Sequence, residues 1–207
     1  FGDRLRSKCD TAKTEQEKDY LDRMLSAAAR MQTLINDLLT FSRVISTTQP
    51  FVPVDLKEIV REVLGDLEVR IEQTKAEIEL SDLPTIDADP TQMRQLFQNL
   101  ISNALKFTPE NGMVTINADE KEEHWVVSIR DTGVGMDRVT LQTIFKQKNN
   151  HSTYGTANEK GTGLGLALCK EMVEKNNGNI WVDSMLRKGS TFYFTLPKSA
   201  EKYNKAV

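Results

Sequence analysis

Between Thr14 and Val44 the apolar residues fall in two overlapping rows. Leu21, Leu25 and Ala28 form the first, Met24, Ala28, Met31, Ile35 and Leu38 the second, and Leu34, Leu39 and Phe41 widen the face. Recurrence at three and four residues is the period of an amphipathic helix. Thr14, with Glu17 three residues on, supplies a capping-box start. A face that wide on a helix of about thirty residues is more than a small domain covers, which favours a helical hairpin completing a bundle in a dimer over a core helix of a single fold. Phe1 to Cys9 reads as the tail of a preceding helix, joined by the polar turn Asp10-Thr11-Ala12-Lys13.

Gln49-Pro50-Phe51-Val52-Pro53 breaks the pattern and reads as a linker. Asp55 then caps a helix bearing Leu56, Ile59, Val60, Val63, Leu64 and Leu67. Short strands are predicted at Ile78 to Leu80 and at Thr85-Ile86. Asp89-Pro90 opens a helix that runs to Phe107, before Thr108-Pro109-Glu110-Asn111-Gly112. Met113 to Ile116 and His124 to Ile129 read as neighbouring strands. A glycine-bearing stretch from Asp131 to Gly165 leads into a helix through Met172, and strands at Ile180 to Val182 and Thr191 to Phe194 follow. The expected fold class is α+β: a two-layer sandwich with strands antiparallel in pairs and helices on one face, preceded by the helical segment. The expected domains are residues 1–48 (dimerisation helices), 49–54 (linker), 55–199 (the α+β unit) and 200–207 (tail).

Composition narrows the function. Against 30 Asp+Glu stand 27 Lys+Arg, a net charge of −3 over 207 residues. A nucleic-acid footprint would need a clustered basic surplus, so no nucleic-acid partner is expected. No apolar run approaches the roughly 18 residues of a membrane span, and Phe1-Gly2-Asp3-Arg4 lacks the form of a signal peptide. Cys9 and Cys169 form neither a disulfide framework nor a metal spacing. The expected setting is cytoplasmic, either alone or as the cytoplasmic part of a larger anchored protein, with no membrane contact by this segment.

Three clusters carry candidate chemistry. On the helix after Pro90, Met93, Leu96, Phe97, Leu100, Ile101, Ala104 and Leu105 form one packed face, and Asn99, Asn103 and Lys106 fall together on the other side. Asparagine is a poor interior helix former. An amide oxygen suits Mg²⁺, and a lysine suits the phosphates such an ion bridges. The alternative is a solvated polar face. Asp131-Thr132-Gly133-Val134-Gly135-Met136 ends a strand, where a carboxylate can accept from an exocyclic amine while glycine backbone passes a flat ring; the alternative is a plain turn. Gly161-Thr162-Gly163-Leu164-Gly165-Leu166 opens a helix, a geometry that favours anions, but it is neither a P-loop nor a dinucleotide fingerprint.

In this order the clusters resemble the N, G1 and G2 boxes of the sensor histidine kinases, within the wider gyrase, Hsp90, histidine kinase and MutL ATP-binding superfamily. The resemblance spans Val54 to Pro197, and Arg30-Met31 to Ser42-Arg43 is similar to the second dimerisation helix of these kinases. It implies a Bergerat-type fold using ATP and Mg²⁺. Asn103 is then expected to ligate Mg²⁺, Asn99 and Lys106 to contact phosphates or the ion, and Phe107 to line the site. Asp131 would bind the adenine amine, with Gly133, Gly135 and Met136 beside the ring. Gly161, Thr162, Gly163, Leu164, Gly165 and Leu166 would cradle the phosphates at the edge of a lid from Asp137 to Lys160, and Thr191 matches a family threonine near adenine. The resemblance also implies a homodimer through a four-helix bundle and a response regulator receiver domain as partner.

Hydrolysing members of the superfamily carry a glutamate where this chain has Asn99, and an amide cannot take a proton from water. The expected reaction is therefore phosphoryl transfer to a protein histidine, with slow hydrolysis. The lid opens Ile144-Phe145-Lys146-Gln147-Lys148, lacking the second phenylalanine of many relatives, so that Lys146 or Lys148 would supply its basic contacts. The two histidines, His124 and His151, lie outside any acceptor-helix context. The acceptor is expected outside this chain, which would then be unable to phosphorylate itself. A serine-directed kinase of the same superfamily would lack the helix before Val44; a degenerate, dimeric nucleotide-binding module is the alternative from another class.

Overall fold

The computed structural model describes residues 18–21, 23–29, 31, 32, 35, 39, 50–145, 155, 156 and 163–198. The chain divides into two units, Phe1–Ser42 and Arg43–Val207. In the first, every described residue is helical. Met24, Met31, Ile35 and Leu39 are all more than half exposed, Met24 at 69%. The apolar face read from the sequence is thus exposed at these four positions, while Leu21 and Leu25 of its first row are half-buried. The capping box at Thr14 and Glu17, the preceding segment Phe1 to Cys9, Leu34, Leu38, Phe41 and the 200–207 tail lie outside the described residues.

The second unit opens with strand β1 (Val52–Asp55), which pairs antiparallel with β3 (Thr85–Ala88). This corrects the expected linker, whose last residues are strand. Pro53 has no N–H to donate, and a two-stranded ribbon tolerates that. Helix α1 (Leu56–Asp66) begins at the Asp55 carboxylate, which accepts from the N–H groups of Lys57 at 2.8 Å and Glu58 at 3.3 Å. A short α2 (Glu68–Thr74), not expected from the sequence, leads to β2 (Glu77–Leu80). Helix α3 (Pro90–Phe107) starts where Asp89 accepts from Thr91 N–H at 2.9 Å and Gln92 N–H at 3.3 Å, with Pro90 preset in the first turn. It ends before Pro109, which holds Thr108 extended; the Thr108 hydroxyl donates to the Ala104 carbonyl at 2.7 Å.

Strands β4 (Met113–Glu120), β5 (His124–Asp131), β6 (Ile180–Met185) and β7 (Gly189–Pro197) complete a five-stranded sheet of order β2-β4-β5-β7-β6. Three of its four pairings are antiparallel, as expected. The fourth is a correction: β2 runs parallel to β4, because β3 and α3 intervene as a crossover. Helices α4 (Arg138–Thr143) and α5 (Gly165–Lys175) lie between β5 and β6 in the chain.

The core forms between the sheet and the helices. Met93, Leu96, Phe97, Leu100 and Leu105 of α3, Leu168 and Met172 of α5, and Ile116, Ile129, Phe194 and Leu196 of the sheet are all buried, and α1 covers α3 with the buried Val60 and Val63. Phe97 packs edge-on against Phe194, with ring centroids 5.6 Å apart. Each such side chain contributes about 2 kcal/mol by leaving water. That packing fixes α3 rigidly on the sheet, and α3 carries the first candidate cluster.

Candidate functional site

On a free amphipathic helix the Asn99, Asn103 and Lys106 side would face water. Here Lys106 is only 7% exposed, while Asn99, Asn103 and Phe107 are half-buried. The solvated-face reading therefore does not hold. Asn99 is turned toward α5: a Cβ placed on Gly165 would lie 3.6 Å from Asn99 Oδ1. The same oxygen accepts from Gln95 Nε2 at 3.4 Å, and Asn99 Nδ2 is buried without a hydrogen-bond partner. Cys169 lies against this amide. Burial pushes its thiol up to about 12, an effect the Asn99 amide partly offsets. The Lys106 ammonium sits 4.9 Å above the centroid of the Phe107 ring.

The far end of α3 meets the second cluster. Val134 N–H donates to the Phe107 carbonyl at 3.1 Å, and a Cβ on Gly133 would lie 2.3 Å from that carbonyl oxygen. Only glycine lets the turn after β5 approach the helix so closely. Asp131, 3% exposed, ends β5; its Oδ1 accepts from Gly133 N–H at 2.8 Å and Ser190 N–H at 3.2 Å. Burial raises its carboxyl above the ordinary range, and those two N–H groups partly offset the rise. Both bonds go to one oxygen, so the carboxylate retains acceptor capacity on the other.

The hairpin of β6 and β7 closes this corner. Arg187 N–H donates to the Val134 carbonyl at 2.6 Å, and Met136 N–H to Ser184 Oγ at 2.8 Å. Ser184 Oγ in turn donates to Gly189 O at 2.9 Å and lies 2.9 Å from Ser190 Oγ. Gly135, at φ +64°, leaves no room for a Cβ, which would stand 2.0 Å from the Met185 carbonyl oxygen. A cleft of about 300 Å³ opens here between Arg130, Asp131, Asp183, Ser184, Ser190 and Thr191.

The register separates Thr191 from its neighbour Ser190. Asp131 lies opposite Ser190, and Arg130 opposite Thr191. Opposed residues share a face and successive residues alternate. Ser190 therefore stands on the Asp131 side, while Thr191 points with Arg130 and Asp183 to the other face of the sheet. Ser190 and Ser184 are the polar side chains the sequence reading missed. A Ser-Thr pair in a strand says only that one of the two faces inward.

The third cluster enters from α5. Gly163 takes φ +79°, Leu164 precedes the helix, and no side chain caps its first turn. Gly165 and Leu166 are half-buried in that turn, so a glycine-opened helix N-terminus faces Asn99 of α3. Gly161, Thr162, His151, Lys146 and Lys148 lie outside the described residues. Thr156, within the expected lid, is tied to the end of α3: its N–H donates to Lys106 O at 3.0 Å, and its hydroxyl lies 3.1 Å from Lys106 O and 3.2 Å from Thr108 O. Phe145, at the start of that segment, meets Phe192 edge-on at 6.3 Å. Among the described residues, no group of three or more His, Cys, Asp or Glu side chains could hold a metal.

Comparison with known proteins places this arrangement. Residues 88–200 match the family of histidine kinase-, DNA gyrase B- and HSP90-like ATPases, and residues 3–47 match the His Kinase A (phospho-acceptor) domain. The chain is 37% identical to the phytochrome-like protein Cph1 of Synechocystis over 93% of its own length and 26% of that protein's. It is 36% identical to the sensor histidine kinase WalK of Bacillus subtilis over 90% of its length and 32% of WalK's. It thus spans about a quarter to a third of these relatives. Among solved structures, the catalytic domain of the histidine kinase ThkA superposes with a TM-score of 0.64 at 29% identity, covering 74% of this chain and 99% of that one. Full-length ShkA in complex with AMPPNP gives 0.69 at 29% identity, over 91% of this chain and 40% of ShkA. The complex of ThkA with the response regulator TrrA gives 0.70 at 25% identity, over 97% of this chain and 57% of that chain. With α3 holding the Asn99 face against Gly165 at one point and its last carbonyl against Gly133 at another, the chain belongs to the histidine kinase-, DNA gyrase B- and HSP90-like ATPase family, as the catalytic domain of a sensor histidine kinase with part of the dimerisation segment.

Proposed function

We propose that this chain binds ATP with Mg²⁺ between α3, the turn after β5 and the start of α5, and directs its γ-phosphoryl group to a histidine that this chain does not contain. The observation that carries this reading is the convergence on α3: Gly165 lies against Asn99, and Gly133 against the Phe107 carbonyl. The three clusters thereby share one helix as a common wall. The ShkA structure, solved with AMPPNP, supports the nucleotide, and the ThkA–TrrA complex supports a response regulator as the onward acceptor.

In this reading the buried Asp131 carboxylate accepts the adenine amine on the oxygen that the backbone leaves open. Ser190 and Ser184 stand beside it, and Thr191, on the opposite face of β7, lines the rim of the same cleft. The Asn103 amide oxygen would hold the ion, and Lys106 and Asn99 would contact the phosphates together with the turn Gly163 to Leu166. With no carboxylate cluster among the described residues, the donor set suits an ion that arrives with the phosphates. Mg²⁺, when bound, neutralises charge on the transferring phosphoryl group. Asn99 cannot act as a base, so water is a poor acceptor and transfer to a protein nucleophile dominates.

The uncovered stripe Met24, Met31, Ile35 and Leu39 supports a homodimer in which a second copy covers it within a four-helix bundle. The likeness to sensor kinase catalytic domains supports reading the chain as a cytoplasmic segment. The test is incubation with γ-labelled ATP beside a polypeptide carrying a family acceptor helix. Acid-labile, alkali-stable label on that polypeptide and none on this chain is expected. Acid-stable label, or label on this chain alone, contradicts the reading.

A further inference from the structure

The ends of α3 and α5 remote from the proposed nucleotide site are joined by a buried chain of polar groups. Asp89 caps α3 through Oδ1, and its second oxygen accepts from Gln92 Nε2 at 3.0 Å. Gln92 Oε1 accepts from Asn176 Nδ2 at 3.3 Å, and the same nitrogen donates to the Met172 carbonyl at 2.7 Å in the last turn of α5. All three side chains are buried, Asn176 to 2% exposure, and Asn176 Oδ1 has no hydrogen-bond partner. An apolar contact would pack such a place without leaving a buried acceptor unmade, so the polar chain adds directionality in place of stability.

The two helices run antiparallel. Gln92 meets Asn176 at one end, and seven residues along α3, roughly 10 Å, Asn99 meets Gly165 and Cys169. Between these points the buried residues are apolar, Met93, Leu96 and Phe97 on α3 and Met172 and Val173 on α5. Apolar burial is non-directional, whereas hydrogen bonds select one register. We infer that Gln92 and Asn176 are positioning residues: their buried link to Asp89 fixes the axial register of α5 on α3, and so sets how far the Gly163 to Leu166 turn stands from Asn99 and Asn103. Adenine recognition at Asp131 belongs to the sheet and does not pass through this link. The inference rests on the nucleotide reading above.

The test is calorimetric titration of the 207-residue chain with adenosine, ADP and AMPPNP in Mg²⁺, for the unmodified protein, Gln92→Met, Asn176→Ala and the pair together, each with a urea midpoint. The expected result is adenosine affinity within about twofold of the unmodified chain, loss of about fivefold or more in AMPPNP affinity, and a pair no worse than either single change. Asp89→Asn combined with Gln92→Glu keeps the net charge, reverses the link between these two positions and leaves Asn176 Nδ2 an acceptor at position 92, and is expected to retain AMPPNP binding. It also serves where a truncating variant fails to fold. Equal weakening of adenosine and AMPPNP would overturn the inference in favour of a general structural role. Unchanged AMPPNP binding by folded variants would overturn it outright. A flat trace from the unmodified chain would instead remove the nucleotide reading, and the inference with it.

Discussion

Asp131 and Ser190 face each other across β5 and β7, and the Ser190 N–H donates to Asp131 Oδ1 at 3.2 Å. A carboxylate buried to this depth is held by backbone rather than by a cation, with Gly133 N–H as its second donor. This suits a recognition group, since the side chain is fixed in place while one oxygen keeps its capacity to accept.

Asp131→Asn separates recognition from stability. Burial raises the Asp131 carboxyl above 3.8, so the folded protein holds this proton to a higher pH than the unfolded chain does. Its contribution to stability is fully present below that ordinary value and is lost as pH rises through the raised one. Asparagine keeps the oxygen that accepts the two N–H groups and removes the charge. The variant is therefore expected to have a higher urea midpoint than the unmodified chain at pH 7, with the gap closing in acid, and to bind adenine nucleotides at least about tenfold more weakly. Urea melts across pH, paired with nucleotide titrations, check both parts.

Gly189→Ala and Gly65→Ala are expected to act in opposite directions. Gly189 takes φ +93°, and a Cβ there would stand 1.9 Å from the Asp131 carbonyl oxygen, whereas nothing lies within 4 Å of one on Gly65 in α1. The first change combines backbone strain with a clash and is expected to cost about 2 kcal/mol or more. The second adds helix propensity and is expected to stabilise by about 0.5–1 kcal/mol. Equilibrium unfolding in urea measures both.

The Cys169 thiol is expected to be inert in the folded protein. Pushed up to about 12 by burial, it is almost wholly protonated at pH 8, and it is enclosed as well. Alkylation at Cys169, followed by mass spectrometry, should be slower by a factor of about 10³ or more in buffer than in urea.

The helix-borne parts of this site were legible in the sequence because helical spacing needs no partner to be read. Asn99, Asn103 and Lys106 share a side by periodicity alone, and Asp89-Pro90 marks the start of their helix. The strand-borne parts were not. Whether Ser190 or Thr191 faces Asp131 depends on the parity of β7 against β5, and a shift of one residue would exchange them. Strand β1 was hidden for a related reason, since Val52–Asp55 becomes a strand only by pairing with Thr85–Ala88 across the whole of α1 and α2. Gln92 and Asn176 are 84 residues apart, and no local pattern ties one to the other.

Asn103→Ala tests the expected role in holding the ion. The side chain is half-buried on the α3 face beside Lys106 and contributes little to the core. Stability is expected to change by less than about 1 kcal/mol, with binding of AMPPNP in Mg²⁺ reduced about tenfold and binding in chelator unchanged. Titrations in the two buffers, with a urea midpoint, provide the check.

The central claim is that the three clusters gathered on α3 form one nucleotide site, and calorimetric titration of the unmodified chain with AMPPNP, with and without Mg²⁺, tests it most directly. One site per chain, with micromolar to millimolar affinity that tightens in Mg²⁺, is the expected result. A flat trace from protein shown to be folded by its urea transition would contradict it.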